Sequence, residues 1–586
     1  MKIWKTKSAN ADFARQLADE LNLPPILARV LSGYGLADLV AVERFLNPRL
    51  NDISDPFQIP QMAAAVSRIW KAIGAQEKIL VFGDYDVDGI VSTVLLVQVL
   101  RRLGAGPVAY CLPDRLEEGY GFSITSLQRC FGQAKPSLII TVDCGITALE
   151  PAAYVKKAGI DLVITDHHEP GPALPDAVAV VNPKLAGADS VKMLAGAGVA
   201  FKLCHALLKH GRKEKHAGAD FDLREYLDLV ALGTVADIVP LLGENRIYVR
   251  HGLAQLNGAG SSLAWRTLKE VAALDGKLDA YHLAFCVAPR INAAGRLDSA
   301  ETALELFLTG DENRARIIAR KLDQANRERQ EIEAKILKEA VEEVNGFFDP
   351  EVHYGIVVGR RGWHIGVIGI VASRLVARYN RPVIVVGFDG QGAGRGSGRS
   401  INGYNILDGL NECRVVLDGF GGHAMAAGME LNEKNFARFQ ALFNRAAEAE
   451  LKEKNLAPTQ MIDAWIELDD VSDENFEALE KLAPFGQNNP RPVFAVRGVK
   501  VAGSPRLVGK KHLRFSVAAG RTTVGAIAFN HASGVTSHAG SARGPAGLKV
   551  PEGIIDVAFH IRKNSFNGSE NLELNILDYR KTSPAD

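Results

Sequence analysis

From about Ala63 onward, the spacing of hydrophobic positions predicts buried strands that alternate with helices. Continuous apolar runs of strand length lie at 78–82, 138–142, 162–165 and 177–181. The apolar stretch from Ile90 to Leu100 is instead long enough for a helix. Uninterrupted apolar strands between helices are typical of a parallel sheet that is covered on both faces. The fold class expected for this part of the chain is therefore α/β.

Residues 311–345 carry a different pattern. Apolar side chains recur there at helical spacing among dense charges of both signs, and no glycine or proline occurs before Gly346. This pattern predicts a long amphipathic helix, which we interpret as a spacer that connects two domains.

A second, smaller α/β region follows the helix, and the end of the chain changes character again. Strands are expected near 354–358 and 383–387. Further on, the segments HLRFSV, TVGAIAF and IDVAFHI alternate apolar with polar residues, which predicts a small antiparallel β domain. A β-barrel of the OB type is one candidate for this domain.

Charge is balanced over the whole chain but segregated along it. The 586 residues include 68 Lys and Arg and 68 Asp and Glu, yet residues 481–550 contain eleven Lys or Arg and no acidic residue. A solvated face of a β domain is the alternative explanation, but solubility alone is served by charges of both signs. We therefore expect a polyanion partner. The candidate contacts are Arg506, Lys510, Lys511 and Arg514, with Phe515 as a ring for base stacking.

Composition also bears on location. The six cysteines are scattered without a C-x-x-C pair, so neither a disulfide framework nor a cysteine zinc site is expected. The N-terminal sequence lacks the apolar core of a signal peptide. No apolar run approaches the roughly 20 residues that a membrane helix needs. A cytoplasmic protein without a membrane partner is expected.

Three aspartates follow the first predicted strand, in the sequence FGDYDVDG. Side chains at alternate positions of an extended segment share one face, so Asp84, Asp86 and Asp88 would project together. They would stand at the carboxyl end of a parallel strand, where α/β sheets bind ligands. Clustered carboxylates repel one another unless a cation neutralises them, and oxygen ligands suit Mg²⁺ or Mn²⁺.

Later strand and helix ends add residues of metal-binding type. These residues are Asp143, Asp166, His167, His168 and Asp237. Adjacent histidines of an extended segment point in opposite directions, so we assign His167 to the metal and His168 to the substrate phosphate or a supporting position. Each residue alone is a weak signal, since an aspartate after a strand is often a helix N-cap. Together they predict a catalytic centre, in which Asp143 could bridge two ions for phosphoryl displacement.

Residues 392–400 (GAGRGSGRS) suggest where a nucleic-acid phosphate would bind. Glycines allow close approach of the backbone, and arginine binds phosphate oxygens in pairs. A plain turn is the alternative. The substrate-binding candidates here and elsewhere are Arg290, Asn292, Arg296, Ser397, Arg399 and His423. We expect Trp363 to lie in a core, whereas His364 suits a structural contact as well as a catalytic one.

At these residues a family resemblance becomes plain. The segments DYDVDG, VDCG, DHH and GTVAD are similar to the four motifs of the DHH phosphoesterase superfamily. Further segments resemble one family within it, the bacterial single-strand-specific 5′→3′ DNA exonucleases. They are PDRLEEGYG (113–121), PRINAAGRL (289–297), WHIGVIGIVASR (363–374), GSGRS (396–400) and GGHAMAAG (421–428). The resemblance covers nearly the whole chain, in order.

The resemblance implies a division of the chain and a set of ligands. The implied parts are a lead-in packed on the DHH domain (1–60), a DHH catalytic domain (61–305), a connecting helix (306–346), a DHH-associated substrate domain (347–455) and an OB-like nucleic-acid domain (456–586). Two Mn²⁺ or Mg²⁺ ions are implied. One would use Asp84 or Asp86 with Asp143, and the other Asp88, Asp143, His167 and Asp237. Asp166 would orient the first histidine.

The resemblance also implies a substrate and partners. Single-stranded DNA would be digested from its 5′ end in DNA repair and recombination, and the direction rests on the resemblance alone. A single-stranded DNA-binding protein and a helicase are implied as partners of a monomeric enzyme. Two alternatives remain: a phosphodiesterase of short oligonucleotides or cyclic dinucleotides, and a non-catalytic strand-binding scaffold. The acid-free basic segment disfavours the first, and the intact carboxylate and histidine set disfavours the second.

Overall fold

The computed structural model describes residues 2–114, 118, 121–131, 135–185, 189–258, 260–297, 299–509, 512–529, 553–566 and 569–582. The chain divides into two units. The parallel-sheet unit comprises Asn47–Glu331 and Pro484–Pro490. The barrel unit comprises Met1–Leu46, Ile332–Ala483 and Arg491–Asp586.

Helices and strands alternate through most of the described chain. The helices are α1 (Ala11–Glu20), α2 (Pro25–Ser32), α3 (Leu39–Leu46), α4 (Met62–Gly74), α5 (Val87–Arg102), α6 (Ile124–Phe131), α7 (Leu149–Lys157), α8 (Asp189–Lys192), α9 (Gly196–Lys213), α10 (Leu227–Ala236), α11 (Gly243–Leu256), α12 (Leu263–Val271), α13 (Ala280–His282), α14 (Ala288–Leu297), α15 (Glu301–Leu308), α16 (Glu312–Phe347), α17 (Ile365–Tyr379), α18 (Ile406–Glu412), α19 (Phe436–Leu451) and α20 (Asp473–Glu480). The strands are β1 (Ile3–Thr6), β2 (Ile79–Phe82), β3 (Val108–Cys111), β4 (Leu138–Val142), β5 (Asp161–Thr165), β6 (Ala179–Val181), β7 (Ile356–Arg361), β8 (Val383–Phe388), β9 (Ala393–Arg399), β10 (Gly419–His423), β11 (Ala426–Asn432), β12 (Thr459–Ile462), β13 (Ala464–Trp465), β14 (Phe494–Val508), β15 (His512–Ala519), β16 (Thr522–Ala528), β17 (Ile554–Phe566) and β18 (Ser569–Lys581). Among the helices described, none is both long and apolar enough to cross a membrane.

The parallel-sheet unit is built on five parallel strands in the order β3-β2-β4-β5-β6. Alternate residues of each strand enter different cores. Val81 and Ile140 face a core that α4, α5, α9 and α10 complete, whereas Leu80 and Ile139 face one that α6 and α7 complete. Both faces are therefore covered, as the apolar runs predict. The apolar segment of the edge strand β3 was not predicted as a strand; its two central residues are only half-buried.

Helix α16 confirms the predicted long amphipathic helix. Its apolar positions serve two separate cores. Ile318 and Leu322 are buried in the core of the parallel-sheet unit. Ile336, Ala340 and Val344 are buried against the sheet that β7 and β8 begin.

Two sheets form most of the barrel unit. The first has the order β10-β11-β9-β8-β7, in which only β7 and β8 are parallel. The second closes on itself, because β14 pairs with both β15 and β17 in the ring β14-β15-β16-β18-β17. The structure thus confirms the expected smaller α/β domain and the C-terminal OB-like barrel.

The N-terminal segment differs in part from its expected placement on residues 61–305, since residues 47–60 lie in the parallel-sheet unit but the residues before them do not. Strand β1 pairs in parallel with β12, and the indole nitrogen of Trp4 donates to Oδ2 of Asp578 at 2.7 Å. Residues 1–46 consequently belong to the barrel unit. The strand pairing that decides this lies far apart in sequence, and no local pattern announces it.

A disulfide joins Cys111 and Cys130, although the scattered cysteines gave no indication of a disulfide framework. The end of β3 and helix α6 bring their Cα atoms within 6.4 Å, a proximity that the separation in sequence does not reveal. Between them, residues 115–117, 119 and 120 of the motif at 113–121 lie outside the described residues.

Candidate metal centre and nucleic-acid interface

The first three aspartates lie where β2 passes into α5. Asp86 is the N-cap of α5, and its side chain accepts a hydrogen bond from the backbone nitrogen of Gly89 at 3.1 Å. Asp88 lies in the first helical turn, so the segment is not extended as predicted; an aspartate at an N-cap favours the helix instead. Asp84 and Asp86 nevertheless offer carboxylate oxygens within 4.8 Å of one of Asp143.

The start of helix α9 holds the carboxylate of Asp88. Its Oδ2 accepts from the backbone nitrogen of Gly196 at 2.7 Å, and its Oδ1 from that of Ala197 at 2.9 Å. The amino end of a helix favours a negative charge, so α9 both positions this carboxylate and supports its ionised form.

Asp143, His167 and Asp237 come together from three elements. Asp143 follows β4 with a φ of 63°, His167 follows β5, and Asp237 is the C-cap of α10. Nε2 of His167 lies 3.0 Å from Oδ1 of Asp143 and 3.6 Å from Oδ2 of Asp237, without hydrogen-bond geometry to either. These three buried atoms have no hydrogen-bond partner among the described residues. A divalent cation would satisfy them together, so the residues fit a metal.

The possible ligand groups overlap. Within the described chain, one donor atom from each member lies within 4.8 Å of the others in three groups: Asp84 with Asp86 and Asp143, Asp88 with His167 and Asp237, and Asp143 with His167 and His168. Asp143 and His167 each belong to two groups. The donor set therefore suits divalent cations, and Asp143 and His167 could each serve in more than one ligand group.

The electrostatics of the cluster also favour cations. Burial and the neighbouring Asp88 raise the pKa of Asp143 well above its usual range and that of Asp237 to about 9. Burial, followed by repulsion from Asp86, raises the pKa of Asp88 to about 7. Burial lowers the pKa of His167 to about 3, which leaves its ring neutral and able to bind metal. A divalent cation would favour the ionised carboxylates that this crowding opposes.

Asp166 orients a different histidine from the one predicted. Its Oδ1 lies 2.7 Å from Nδ1 of His168 and accepts from the backbone nitrogens of His167 and His168 at 2.7 and 3.0 Å. Burial alone would lower the pKa of His168, but the Asp166 carboxylate outweighs it and raises that pKa. The ring held by Asp166 is thus that of His168, whose other nitrogen points away from this bond.

The substrate candidates Asn292 and Arg290 on α14 both bond to other groups of the protein. Oδ1 of Asn292 accepts from the backbone nitrogen of Val87 at 3.1 Å, which secures the start of α5 beside the aspartates. Nε of Arg290 donates to Oδ1 of Asp323 at 2.9 Å. Arg296 is half-buried on the same helix. DNA binding by these residues stays a prediction.

Most of the glycine-rich segment 392–400 is a strand, so the alternative of a plain turn is wrong. β9 pairs with β8 on one side and with β11 on the other. Its glycines admit close neighbours, since an added Cβ on Gly396 would lie 2.3 Å from Sδ of Met429 and one on Gly398 would lie 2.6 Å from Cδ1 of Ile406. The glycines therefore serve sheet packing.

The phosphate-binding candidates of the barrel unit share one face of this sheet. Ser397 and Arg399 are two residues apart on β9. Arg399 pairs with Ala426 on β11, which pairs with His423 on β10, so Arg399 and His423 stand two strands, about 10 Å, apart. Nη1 of Arg399 donates to Oγ of Ser397 at 3.1 Å. Gly369 of α17 lies beside them, with its would-be Cβ 2.9 Å from Oγ of Ser397.

The predicted stacking ring lies in the barrel core. Phe515 is 5% exposed and cannot meet a base. The exposed ring nearby in sequence is Phe529, at 42%, which the sequence analysis missed. The guanidinium of Arg562 lies 5.2 Å from the centre of this ring. A ring flanked by a cation suits base stacking better than the buried one.

The basic candidates of the barrel are placed only in part. Arg506 and Arg514 face each other on β14 and β15. Nη2 of Arg514 donates to the buried Glu573 at 3.3 Å. Lys510 and Lys511 lie outside the described residues.

Trp363 and His364 make structural contacts at the start of α17. Trp363 is buried, as expected, and its indole nitrogen donates to Oε2 of Glu339 at 2.8 Å. His364 is the N-cap of α17 and accepts from the backbone nitrogen of Gly366 at 3.2 Å. Of the two interpretations of His364, this contact represents the structural one.

Gly233→Ala is expected to lower the affinity for Mn²⁺ by about 10-fold or more, because groups that position metal ligands have effects of that size. The added Cβ would lie 2.4 Å from Oδ1 of Asp88 and 2.7 Å from Cβ of Ala197, so the carboxylate must move. Calorimetric titration with Mn²⁺ measures the change. Gly74→Ala is the control, since nothing lies within 4 Å of its added Cβ. Equal affinities in the two variants would contradict the prediction.

Comparisons with known families divide the chain in three. The model of the DHH family, N-terminal domain, matches residues 78–234. The models of the DHHA1 domain and the RecJ OB domain match residues 349–449 and 462–578. These matches fall on the parallel sheet with its metal cluster, on the sheet that carries Arg399, and on the closed barrel.

The chain is similar to curated single-stranded-DNA-specific exonucleases named RecJ. The protein of Bacillus subtilis is 39% identical over 532 residues, which are 90% of this chain and 66% of that protein. The protein of Haemophilus influenzae is 36% identical over 572 residues, which are 95% of this chain and 96% of that protein.

Solved structures of RecJ from Thermus thermophilus have the same fold. The complex with Mn²⁺ has a TM-score of 0.82 at 30% identity and covers 99% of this chain and 80% of that chain. The complex with Mg²⁺ has a TM-score of 0.76 at 28% identity, with coverage of 99% and 79%. Both ions are of the kind that the carboxylate and histidine cluster suits. With these similarities over nearly its whole length, the chain belongs to the RecJ family of the DHH superfamily.

Proposed function

We propose that this chain hydrolyses single-stranded DNA from its 5′ end, with two Mn²⁺ or Mg²⁺ ions, in DNA repair and recombination. The observation that carries the proposal is the set of three overlapping ligand groups, two of which share Asp143 and two of which share His167. Two ions a few ångströms apart suit in-line displacement at a phosphodiester. A non-catalytic scaffold would have no use for buried donor atoms that lack other partners.

Each residue of the centre has a proposed task. Asp84 or Asp86 would hold one ion together with Asp143. The other ion would be held by Asp88, Asp143, His167 and Asp237. When bound, the ions act as Lewis acids on the phosphodiester. Asp166 keeps the ring of His168 in place, and we propose that the second nitrogen of this ring donates to a phosphate oxygen.

Other groups would bind parts of the strand that are distant from the scissile bond. Ser397, Arg399 and His423 offer a hydroxyl, a guanidinium and an imidazole on one face of a sheet, which suits a phosphate. The barrel adds Arg506, Arg514 and, outside the described residues, Lys510 and Lys511. Cations and exposed rings bind a strand without reading its base sequence. Because the candidate contacts are numerous and independent of base sequence, they favour a long strand over the short or cyclic oligonucleotides of the small-substrate alternative.

Domain limits and partners complete the proposal. Residues 61–305, 347–455 and 456–586 are proposed as catalytic, substrate-binding and OB-like domains, and each range contains one family match. Residues 306–346 would connect the first two. A helicase would supply the separated strand and a single-stranded DNA-binding protein would coat it. Both partners and a monomeric enzyme rest on the family resemblance, whereas the proposed cytoplasmic location rests on the composition of the chain.

Digestion of one oligonucleotide labelled at either end tests the activity. With Mn²⁺, the 5′ label should appear at once in mononucleotides, while the 3′ label stays in a strand that shortens gradually. A blunt duplex of the same sequence should resist digestion. EDTA should stop the reaction, and added Mn²⁺ should restore it, because the buried donors need a cation.

The labels also show how the proposal would fail. Early release of the 3′ label from a full-length strand would contradict the proposed direction. Cleavage that continues in EDTA would contradict the metal requirement. Equal digestion of single strand and duplex would contradict the proposed specificity for single-stranded DNA.

A further inference from the structure

Ile238 combines a strained backbone with an exposed apolar side chain. Its φ is 61°, and the residue is 68% exposed. Nine non-glycine residues of the described chain have positive φ, and Ile238 is the one with a β-branched side chain. Such side chains are disfavoured in this region because Cβ and its branches collide with the backbone. Strain of this kind persists at sites where a function uses it.

The position of Ile238 ties it to the metal centre. It follows Asp237 directly, so the two Cα atoms are about 3.8 Å apart. Oδ2 of Asp237 lies 3.6 Å from Nε2 of His167. The backbone is fixed here, since the nitrogen of Asp237 donates to the carbonyl of Gly233 at 2.9 Å and that of Ile238 to the carbonyl of Val235 at 3.4 Å. An aliphatic side chain is thus held in solvent next to a candidate metal ligand.

Helix termination alone does not explain an isoleucine. Helix α10 ends here, and helices commonly end in a left-handed residue, usually glycine and sometimes asparagine. Helix α17 ends in this way at Asn380, whose φ and ψ are 50° and 47°. An asparagine at position 238 would meet the same need with less strain, so the apolar side chain requires another reason.

We infer that Ile238 packs against the sugar or base of the nucleotide whose phosphodiester lies at the metal centre; this inference rests on the proposed function. A phosphodiester bound beside Asp237 brings its nucleotide within reach of the next residue. An aliphatic side chain contacts such groups without hydrogen bonds, so it accepts every base. Because its backbone is already fixed, little freedom is lost on binding.

Three variants distinguish an apolar contact between Ile238 and the nucleotide from a role of Ile238 in ending helix α10. Ile238→Asn keeps the left-handed backbone but removes the apolar side chain, and should raise KM for single-stranded DNA roughly 10- to 100-fold. Ile238→Leu keeps the apolar bulk and should stay within about threefold of the parent. Val415→Asn replaces an apolar residue that is 74% exposed elsewhere and should change nothing. Mn²⁺ affinity and melting temperature of Ile238→Asn should equal or exceed those of the parent, since strain is relieved.

Each outcome has a separate meaning. An unchanged KM in Ile238→Asn overturns the inference. Loss of Mn²⁺ affinity in that variant also overturns it, because the effect would then act through Asp237. If Ile238→Leu raises KM well above that of the parent, the exact shape of the side chain at the end of helix α10 is what matters. An apolar contact with the nucleotide is then contradicted. A parent chain that binds Mn²⁺ but leaves single-stranded DNA intact refutes the proposed function itself, and the inference with it.

Discussion

Asp143→Asn is expected to abolish strand cleavage and weaken Mn²⁺ binding while leaving the protein folded. Asp143 belongs to two of the three possible ligand groups and places Oδ1 3.0 Å from Nε2 of His167. Groups that merely support metal ligands affect affinity 10- to 100-fold, so a shared ligand should matter by more than about 100-fold. Calorimetry with Mn²⁺ and digestion of end-labelled single-stranded DNA measure the two losses.

Asparagine is the informative replacement at this position. The φ of Asp143 is 63°, which asparagine tolerates well, so the backbone should not change. It also removes a carboxylate whose pKa burial and Asp88 raise, and therefore a group that costs stability when ionised without a metal. Without metal, the melting temperature of the variant should equal or exceed that of the parent. With Mn²⁺ at 100 times its Kd, the parent should gain about 2.7 kcal/mol, and the variant should not.

Asp52→Asn is the matched control, since Asp52 is an exposed aspartate of the same unit. It should bind Mn²⁺ and digest DNA like the parent. If Asp143→Asn kept its Mn²⁺-dependent stabilisation, the ligand set around Asp143 would be wrong. If it kept the stabilisation but lost cleavage, Asp143 would serve the reaction without holding the ions.

The central sheet and the long helix were predictable because their burial requires apolar residues at positions that can be identified directly in the sequence. Strand β4 occupies the predicted residues 138–142, since a strand covered on both faces is buried at every position and is therefore almost entirely apolar. Helix α16 needs an unbroken helical stripe because Ile318 and Ile336 enter two different cores. In both elements the pattern depends on local periodicity alone.

Elements whose partners lie far away could not be predicted in this way. Strand β1 is fixed by its pairing with β12, and nothing within residues 3–6 specifies that partner. Strand β9 was not predicted as a strand, because glycines are typical of turns and loops. Here they make room for Met429 and Ile406. The Cys111–Cys130 bond likewise depends on the packing of α6 near the end of β3.

In the barrel, the alternation of apolar and polar residues in the sequence already indicates that Phe515 is buried, so the prediction of Phe515 as a stacking ring was wrong. Leu513, Phe515 and Val517 alternate with polar residues, and alternate residues of a strand share a face. All three are buried, whereas Arg514 is exposed. Treating Phe515 as a neighbour of Arg514 ignored this alternation and so missed Phe529.

At the metal centre, residue types and strand ends identified the cluster, but hydrogen bonds across elements decide the tasks. The carboxylate of Asp88 faces the backbone nitrogens of Gly196 and Ala197. The carboxylate of Asp166 faces the ring of His168. Neither contact follows from spacing, because each joins groups whose relative position only the folded chain sets.

Lys202→Met is expected to destabilise the chain by about 3–5 kcal/mol, the cost of leaving one partner of a buried ion pair alone. Nζ of Lys202 lies 2.7 Å from Oε2 of Glu244, and both side chains are almost fully buried. Lys202 also donates to the carbonyl of Ser54 at 2.7 Å. Burial lowers the pKa of Lys202 despite the nearby carboxylate, which shows how costly the site is for charge. Denaturant unfolding of the metal-free chain measures the loss.

Two further variants test whether the buried charge is the cause. Lys209→Met lies on the same helix and breaks an exposed pair with Asp55, so it should change stability by about 1 kcal/mol or less. Glu244→Gln added to Lys202→Met removes the stranded charge, keeps an oxygen that accepts from Ser54 and turns an amide nitrogen toward the hydroxyl oxygen of Tyr248, so it should recover part of the loss. Equal effects of Lys202→Met and Lys209→Met would contradict the prediction.

The loss should also reach the metal centre, because Lys202 and the backbone amides that bind Asp88 belong to one helix. The pair with Glu244 anchors α9 about one and a half turns after Gly196 and Ala197. A loosened α9 holds these amides less firmly against the carboxylate. Lys202→Met should therefore bind Mn²⁺ more weakly than Lys209→Met even under conditions in which both variants are fully folded. The added Glu244→Gln should recover part of the affinity along with part of the stability.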